Sequence, residues 1–352
     1  MPLRSFFVSR KPRRWYRRAQ DAPPPVSRGD GIAAHRTRVP RLSSPVKRFN
    51  IMLSDRIIQN VREGDMKSLC ELDAKGLSPA VGEGAEAFAQ RLEILRKSLQ
   101  EFEQKLFSQG KAMLDDLCVQ SKDRIPQSLY ETPRKQTRQL YGFDCDWVPG
   151  FFCNPRFSWL FGGCTYSYPP DFFTVFIIGE RLRKQKKYLC YDRDEIFAHE
   201  LCHVGRAGLN SMEFEELFAY QTARRPFRRF LGGIMHSQMD TLVFLLACLF
   251  LVAAQVLLPL YNAVLPSWLG WVVFGAVMLF FLLRHAHSYH VFRKALQKLQ
   301  AFCGNDAARA RMLLFHATDD EIHQLARTET PESLLKEYSA SELRWKIACE
   351  RG

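Results

Sequence analysis

Two apolar runs, Thr241–Tyr261 and Trp268–Leu283, constrain this 352-residue chain more than any other feature. From Leu242 through Leu283 there is no Asp, Glu, Lys, Arg or His. The hydrocarbon core of a bilayer takes roughly twenty apolar residues in a helix. The first run is that long, and the second reaches it when its ends are extended. Backbone groups in lipid are satisfied only within helices or closed barrels. The pair therefore reads as a membrane-crossing helical hairpin over 241–283, turned at Asn262–Ser267 around Pro266. Tyr261, Trp268 and Trp271 stand where interfacial aromatic residues belong. Arg224, Arg225, Arg228 and Arg229 flank one outer end, and Arg284, Arg293, Lys294 and Lys298 flank the other, while the connecting loop carries no basic residue. By the positive-inside rule, both ends of the hairpin face the cytoplasm. His285, His287 and His290 do not share one helix face, so they read as juxtamembrane surface residues.

The chemistry lies in front of the hairpin, at His199-Glu200-Leu201-Cys202-His203. Histidines four apart sit one helical turn apart on one face, so both can reach one Zn2+ ion. Glu200, between them, is placed to take a proton from a water at that ion. Asp192 and Asp194 open the helix as cap and first-turn acid. A catalytic zinc site needs a third protein ligand. Downstream, Met212–Tyr220 has helical propensity, and Gly205, Gly208 and Asn210 let the chain turn before it, with Ser211 placed to cap it. A glutamate among Glu213, Glu215 and Glu216 can then face the histidines.

Over residues 188–220 the chain resembles the glutamate-ligand branch of the zincin metallopeptidases. Some of these read N-E-x-F-A at the third ligand, and the membrane HtpX-like enzymes read E-x-x-A-D. Glu216-Leu217-Phe218-Ala219-Tyr220 fits E-x-F-A, so the resemblance implies Glu216 as third ligand, with Glu213 and Glu215 as runners-up. It also implies a peptide or protein substrate, with Glu200 as general base. Tyr220 or Tyr191 would stabilise the oxyanion. The connection from His203 to Glu216 is shorter than in those families. Tyr220 stands where E-x-x-A-D has an aspartate that orients a zinc histidine, so Asp192, Asp194 or a backbone carbonyl would take that task. The alternative is a structural zinc site on a membrane protein that serves as an interaction platform, for which Glu200 would be dispensable.

The fold class expected is α+β, mostly helical: a zincin-like core with a short sheet at 123–230, flanked by helices. Residues 1–48 form a basic tail without an apolar run long enough for a signal peptide. Residues 1–50 hold thirteen Lys/Arg and two acids, which is +11 of the net +13. Composition of this kind reads as disordered. Residues 49–122 read as helices, including an amphipathic run from Gly84 to about Val119 with a break at Gly110. In 123–170, prolines alternate with Trp147, Phe151, Phe152, Trp159 and Phe161, an aromatic loop region read as packing. Phe172–Ile178 reads as one strand and Tyr188–Tyr191 as a second. Residues 284–352 read as cytoplasmic helices, with a capping box at Thr318–Glu321 and no nucleic-acid motif. Ten scattered cysteines without a C-x-x-C pair fit reduced thiols. Two spans without a signal peptide suit a bacterial inner membrane, with the zinc motif on its cytoplasmic side.

Overall fold

The structure, a computed structural model, describes residues 49 and 51–351, apart from 115–116, 154–160, 261–265 and 267. The basic tail, Trp159 and Tyr261 therefore lie outside the described residues. Helices α1 (Asp55–Arg62) and α2 (Met66–Asp73) precede the long α3 (Ala85–Gln109). Helical spacing puts Phe88, Leu92, Leu95, Leu99, Phe102 and Leu106 of α3 on one buried face. The helix ends at Gly110, whose φ of +67° is a left-handed conformation that glycine adopts without penalty. Beyond it, the expected helical run to Val119 is replaced by an antiparallel pair, β1 (Lys111–Leu114) and β2 (Leu117–Gln120). Residues of β1 alternate between exposed and buried, the period of a strand.

After α4 (Glu131–Tyr141) comes a three-stranded sheet of β3 (Gly150–Phe152), β4 (Gly163–Tyr168) and β5 (Phe173–Ile178). Its order is β3-β5-β4, with β5 parallel to β3 and antiparallel to β4. All six residues of β5 are buried, which is why it reads as an unbroken apolar run. Two of the three strands arise in the segment read from sequence as aromatic loop. The second expected strand is not in this sheet. Tyr188 and Tyr191 instead pair across a separate hairpin, β6 (Lys187–Tyr188) and β7 (Tyr191–Asp192), whose turn holds Leu189 at φ +52°. Trp147, Phe151, Phe152 and Phe161 are buried, as packing residues should be. At Gly150 of β3 a Cβ would come within 2.2 Å of the Phe176 ring on the central strand, so β3 requires glycine there.

The chain then runs through α5 (Arg193–Arg206), α6 (Glu215–Tyr220) and α7 (Pro226–Leu231) into α8 (Gln238–Leu260) and α9 (Trp268–Phe302). Both α8 and α9 are long and apolar enough to cross a membrane. Leu246, Leu249, Phe280 and Leu283 stand exposed on them. Gly270 of α9 meets α8 closely, a Cβ there lying 3.0 Å from that of Ala254. At the base of the pair, Arg284 forms two hydrogen bonds to Asp240, at 3.1 and 2.8 Å. Helix α9 does not stop near Leu283. It runs on unbroken for 35 residues, roughly 52 Å at the helical rise. Its far half buries Val291, Phe292, Ala295 and Leu299 against the folded core.

Four further helices, α10 (Ala307–Phe315), α11 (Asp319–Arg327), α12 (Pro331–Ser341) and α13 (Leu343–Arg351), complete a mostly helical molecule. The Thr318–Glu321 capping box forms as read. One continuous cluster of buried side chains runs from Phe49 to Ala348, so chain ends and centre share a core.

Candidate metal centre

Helix α5 carries the motif, and its start is built as the sequence suggests. Asp192 is the N-cap, accepting from the Asp194 amide at 3.0 Å. Asp194 pairs with Lys186 at 2.8 Å. Both aspartates are engaged at the start of α5, and of the three expected orienting groups it is a backbone carbonyl that meets a motif histidine, His199. That task falls to α6. His203 Nδ1 donates to Glu215 Oε1 at 2.9 Å, and His199 hydrogen-bonds the backbone of Ala219. Glu215 is held in turn by Arg206, whose Nε donates to Glu215 Oε2 at 2.8 Å. Arg206 is buried, bonds the carbonyls of Phe315 and Ala317, and stacks its guanidinium 4.0 Å over the Phe218 ring.

With those outer nitrogens engaged, the inner atoms converge. His199 Nε2 and His203 Nε2 lie 3.2 Å apart. Glu216 places its carboxylate 3.5 Å from the first and 3.7 Å from the second. Of the three glutamates on this segment, Glu216 completes the His199–His203 group, its ligand atoms within 4.8 Å of one another. Glu213 points elsewhere, accepting from Ser288 at 2.6 Å and meeting His323 at 3.0 Å. In neutral imidazoles the inner nitrogens are acceptors, so three lone-pair donors face one point. Such a set is stable only around a cation or a shared proton. Tetrahedral zinc with ligand bonds near 2.05 Å has ligand–ligand edges of about 3.3 Å, close to those seen here. The residues therefore fit the ion.

Glu200 is 1% exposed, and Thr165 of β4 donates to its Oε2 at 2.7 Å. Burial raises the Glu200 carboxyl to about 7, against the opposing pull of His203 and Thr165, with Glu216 adding to the rise. The strand passes so close that a Cβ on Gly163 would lie 2.8 Å from Glu200 Oε1. Burial, with the charges of His203 and Arg228, holds His199 well below its usual value. Burial also opposes charge on His203, but the Glu215 hydrogen bond and the carboxylates of Glu216, Glu215 and Glu200 prevail and raise it to about 9.

A pocket opens onto this centre between β4, α5 and α6, with Gly163, Tyr191, Glu200, Tyr220 and Arg228 in its wall. Tyr220 sits edge-on to His199, ring centroids 4.6 Å apart. Its ring leaves no room at Gly232, where a Cβ would lie 2.1 Å from it. Arg228 is tethered to Glu195 at 2.7 Å and to the Cys190 carbonyl at 3.1 Å.

The expected Ser211 cap of α6 is absent. Asp319, the first residue of α11, caps this segment from a distance instead. It accepts from the amides of Met212, Glu213 and Phe214 at 2.7, 2.8 and 3.4 Å, while Ser211 donates to it. His285 is also not a surface residue. It is fully buried, and its ring nitrogens face the carbonyls of Gly233 and Phe230. His287 and His290 are exposed as expected. Sequence reasoning missed Thr165, Arg206, Arg228 and Asp319. None lies in the motif, and only Arg206 had a signal, an arginine one turn after the last histidine. Compared with family models, curated proteins and solved structures, the chain matches none.

Proposed function

We propose that this chain is a membrane-anchored zinc metallopeptidase, with its catalytic centre on the cytoplasmic side of a bacterial inner membrane. The convergence of His199, His203 and Glu216 beside the buried carboxylate of Glu200 carries the reading. These three side chains would hold Zn2+, with Glu215 and the Ala219 backbone fixing the ring orientations. When bound, the ion supplies Lewis acidity that polarises a peptide carbonyl and lowers the pKa of water. Glu200 takes the proton of that water and passes it to the departing amine. Thr165 holds one oxygen of Glu200 and favours its charged form. Tyr220 and Tyr191, both in the pocket wall, are the candidate donors to the carbonyl oxygen. At the edge of its sheet, β4 offers a backbone along which an extended peptide can lie.

The test compares zinc content and peptide hydrolysis of the detergent-purified full chain. Wild type should carry about one zinc, and His199→Ala and Glu216→Ala should lose it. Glu200→Gln should keep the metal and lose roughly 100-fold or more in kcat. Metal retention by Glu216→Ala would sink the ligand assignment. Undiminished hydrolysis by Glu200→Gln would remove Glu200 from its role as base, and a zinc-loaded wild type that hydrolyses no peptide would favour the structural-site alternative.

A further inference from the structure

Between the pocket and the apolar hairpin lies α7, whose outer side is rich in arginine: Arg224 reaches Glu195 only at 3.9 Å, and Arg229 donates its Nε to the Ala223 carbonyl at 2.6 Å. Phe227 is 71% exposed, and Arg224, Arg225 and Arg229 around it are exposed as well. From Arg224 through Met239 there is no acidic residue to offset them. A solvated phenylalanine ringed by arginines is costly in water and well suited to a lipid–water boundary, where the ring enters the apolar layer and the guanidinium groups meet phosphate.

The position of α7 matches that boundary. The carbonyls of Phe230 and Gly233 both face the His285 ring on α9. The neighbouring residue, Arg284, pairs with Asp240 of α8, and these two are the last charges before the apolar stretch on each helix. The end of α7 is thus fixed to α9 about 1.5 Å along its axis from the level where the charge of the hairpin ends.

We propose that α7 lies on the anionic phospholipid headgroups of the membrane its neighbours cross, with Phe227 inserted and Arg224, Arg225 and Arg229 on the phosphates. Arg228 is excluded from this set because it is only 24% exposed and is held by Glu195 at 2.7 Å and by the Cys190 carbonyl at the pocket wall, whereas the Arg224 side chain is 57% exposed and meets Glu195 only at 3.9 Å. The contact does not depend on peptide hydrolysis at the metal centre, and neither does its test.

The test places benzoylphenylalanine at position 227 of the full chain in phosphatidylcholine nanodiscs, with and without phosphatidylglycerol. Lipid adducts are then counted by mass spectrometry. Position 246 on the exposed face of α8 serves as the positive control, and position 107, 65% exposed at the end of α3, as the negative one. Position 227 should form adducts where 107 does not, and phosphatidylglycerol should raise the yield several-fold. Replacing Arg224, Arg225 and Arg229 together by Gln should remove that rise, and replacing them by Lys should keep it. Adducts at 246 but not at 227, or a yield indifferent to anionic lipid, overturns the proposal. Silence at both positions overturns the membrane-crossing reading together with it.

Discussion

The decisive question at the residue scale is what occupies the point between His199, His203 and Glu216 before a metal does. Against the effect of burial, His203 is raised to about 9 by its Glu215 hydrogen bond and the nearby carboxylates, which favours its protonated form at neutral pH when no metal is bound. In the metal-free protein, a folded value above the ordinary 6.5 adds stability that is complete below about 6.5 and fades as pH rises through about 9. A zinc ion held there as proposed would displace this proton. Binding near neutral pH should therefore release it, and affinity should fall as pH drops. Calorimetric titrations in two buffers of different ionisation enthalpy check this, because identical apparent enthalpies would mean that no proton leaves. Glu215→Gln weakens the bond that orients His203 without removing a ligand, so zinc affinity should fall by about 10- to 100-fold. A chelator competition would show it, and complete loss of zinc would mean that Glu215 is itself a ligand.

The element that matters most is α6, since Glu215, Glu216 and the Ala219 backbone all belong to it. Six residues make too short a helix to stand alone. The segment is held from outside by the Asp319 carboxylate at its start and by the ring of Phe292 of α9, centroids 5.0 Å from that of Phe218. Asp319→Ala removes an acceptor from three amides and should cost about 1–3 kcal/mol in chemical denaturation, with a parallel loss of zinc affinity. Asp319→Asn, which keeps one acceptor oxygen, should cost less. Unchanged zinc binding in the alanine variant would show that α6 orders itself. This dependence also explains what could be read from sequence. The motif helix, the amphipathic face of α3, the apolar runs and the β5 strand carry their periodicity or composition locally. Glu216, which the structure brings to the two histidines, was within reach because it follows a turn signal on a helical stretch. The Asp319 cap and the Arg206–Glu215–His203 relay were not legible, because they join residues through space. Strand β4, Gly-Cys-Thr-Tyr-Ser-Tyr, is buried at five of its six positions and has no polar–apolar alternation to announce it.

At the scale of the molecule, contacts from opposite ends of the chain hold the support of the candidate metal centre together. Asp73 at the end of α2 binds His316 at 2.8 Å and also pairs with Arg351 and Ser78, all around one buried carboxylate. Burial alone would raise its pKa, but the His316 and Arg351 charges and the Ser78 hydroxyl hold it well below the carboxylate range. A depressed folded value stabilises the protein above about 4, and that contribution is lost as pH falls toward the folded value. Asp73→Asn should therefore destabilise by about 3–5 kcal/mol at neutral pH, with a gap to wild type that narrows in acid denaturation. Thermal unfolding across pH would reveal a constant gap if the carboxylate charge were irrelevant. The same continuity fixes a topology. Because α9 runs without a break from the apolar stretch into the shared core, and α8 begins beside that core at the Asp240–Arg284 pair, a bilayer crossed by the two helices as proposed would be entered and left on one side. Cys118 and Cys190 are the exposed cysteines among the described residues, and both lie outside the hairpin in the chain. A membrane-impermeant maleimide should leave them unlabelled in intact bacterial spheroplasts and label them in inverted vesicles. Labelling in spheroplasts would place the metal centre on the outer face, against the arginine flanks of the hairpin, and would reverse the cytoplasmic assignment while leaving the metal chemistry intact.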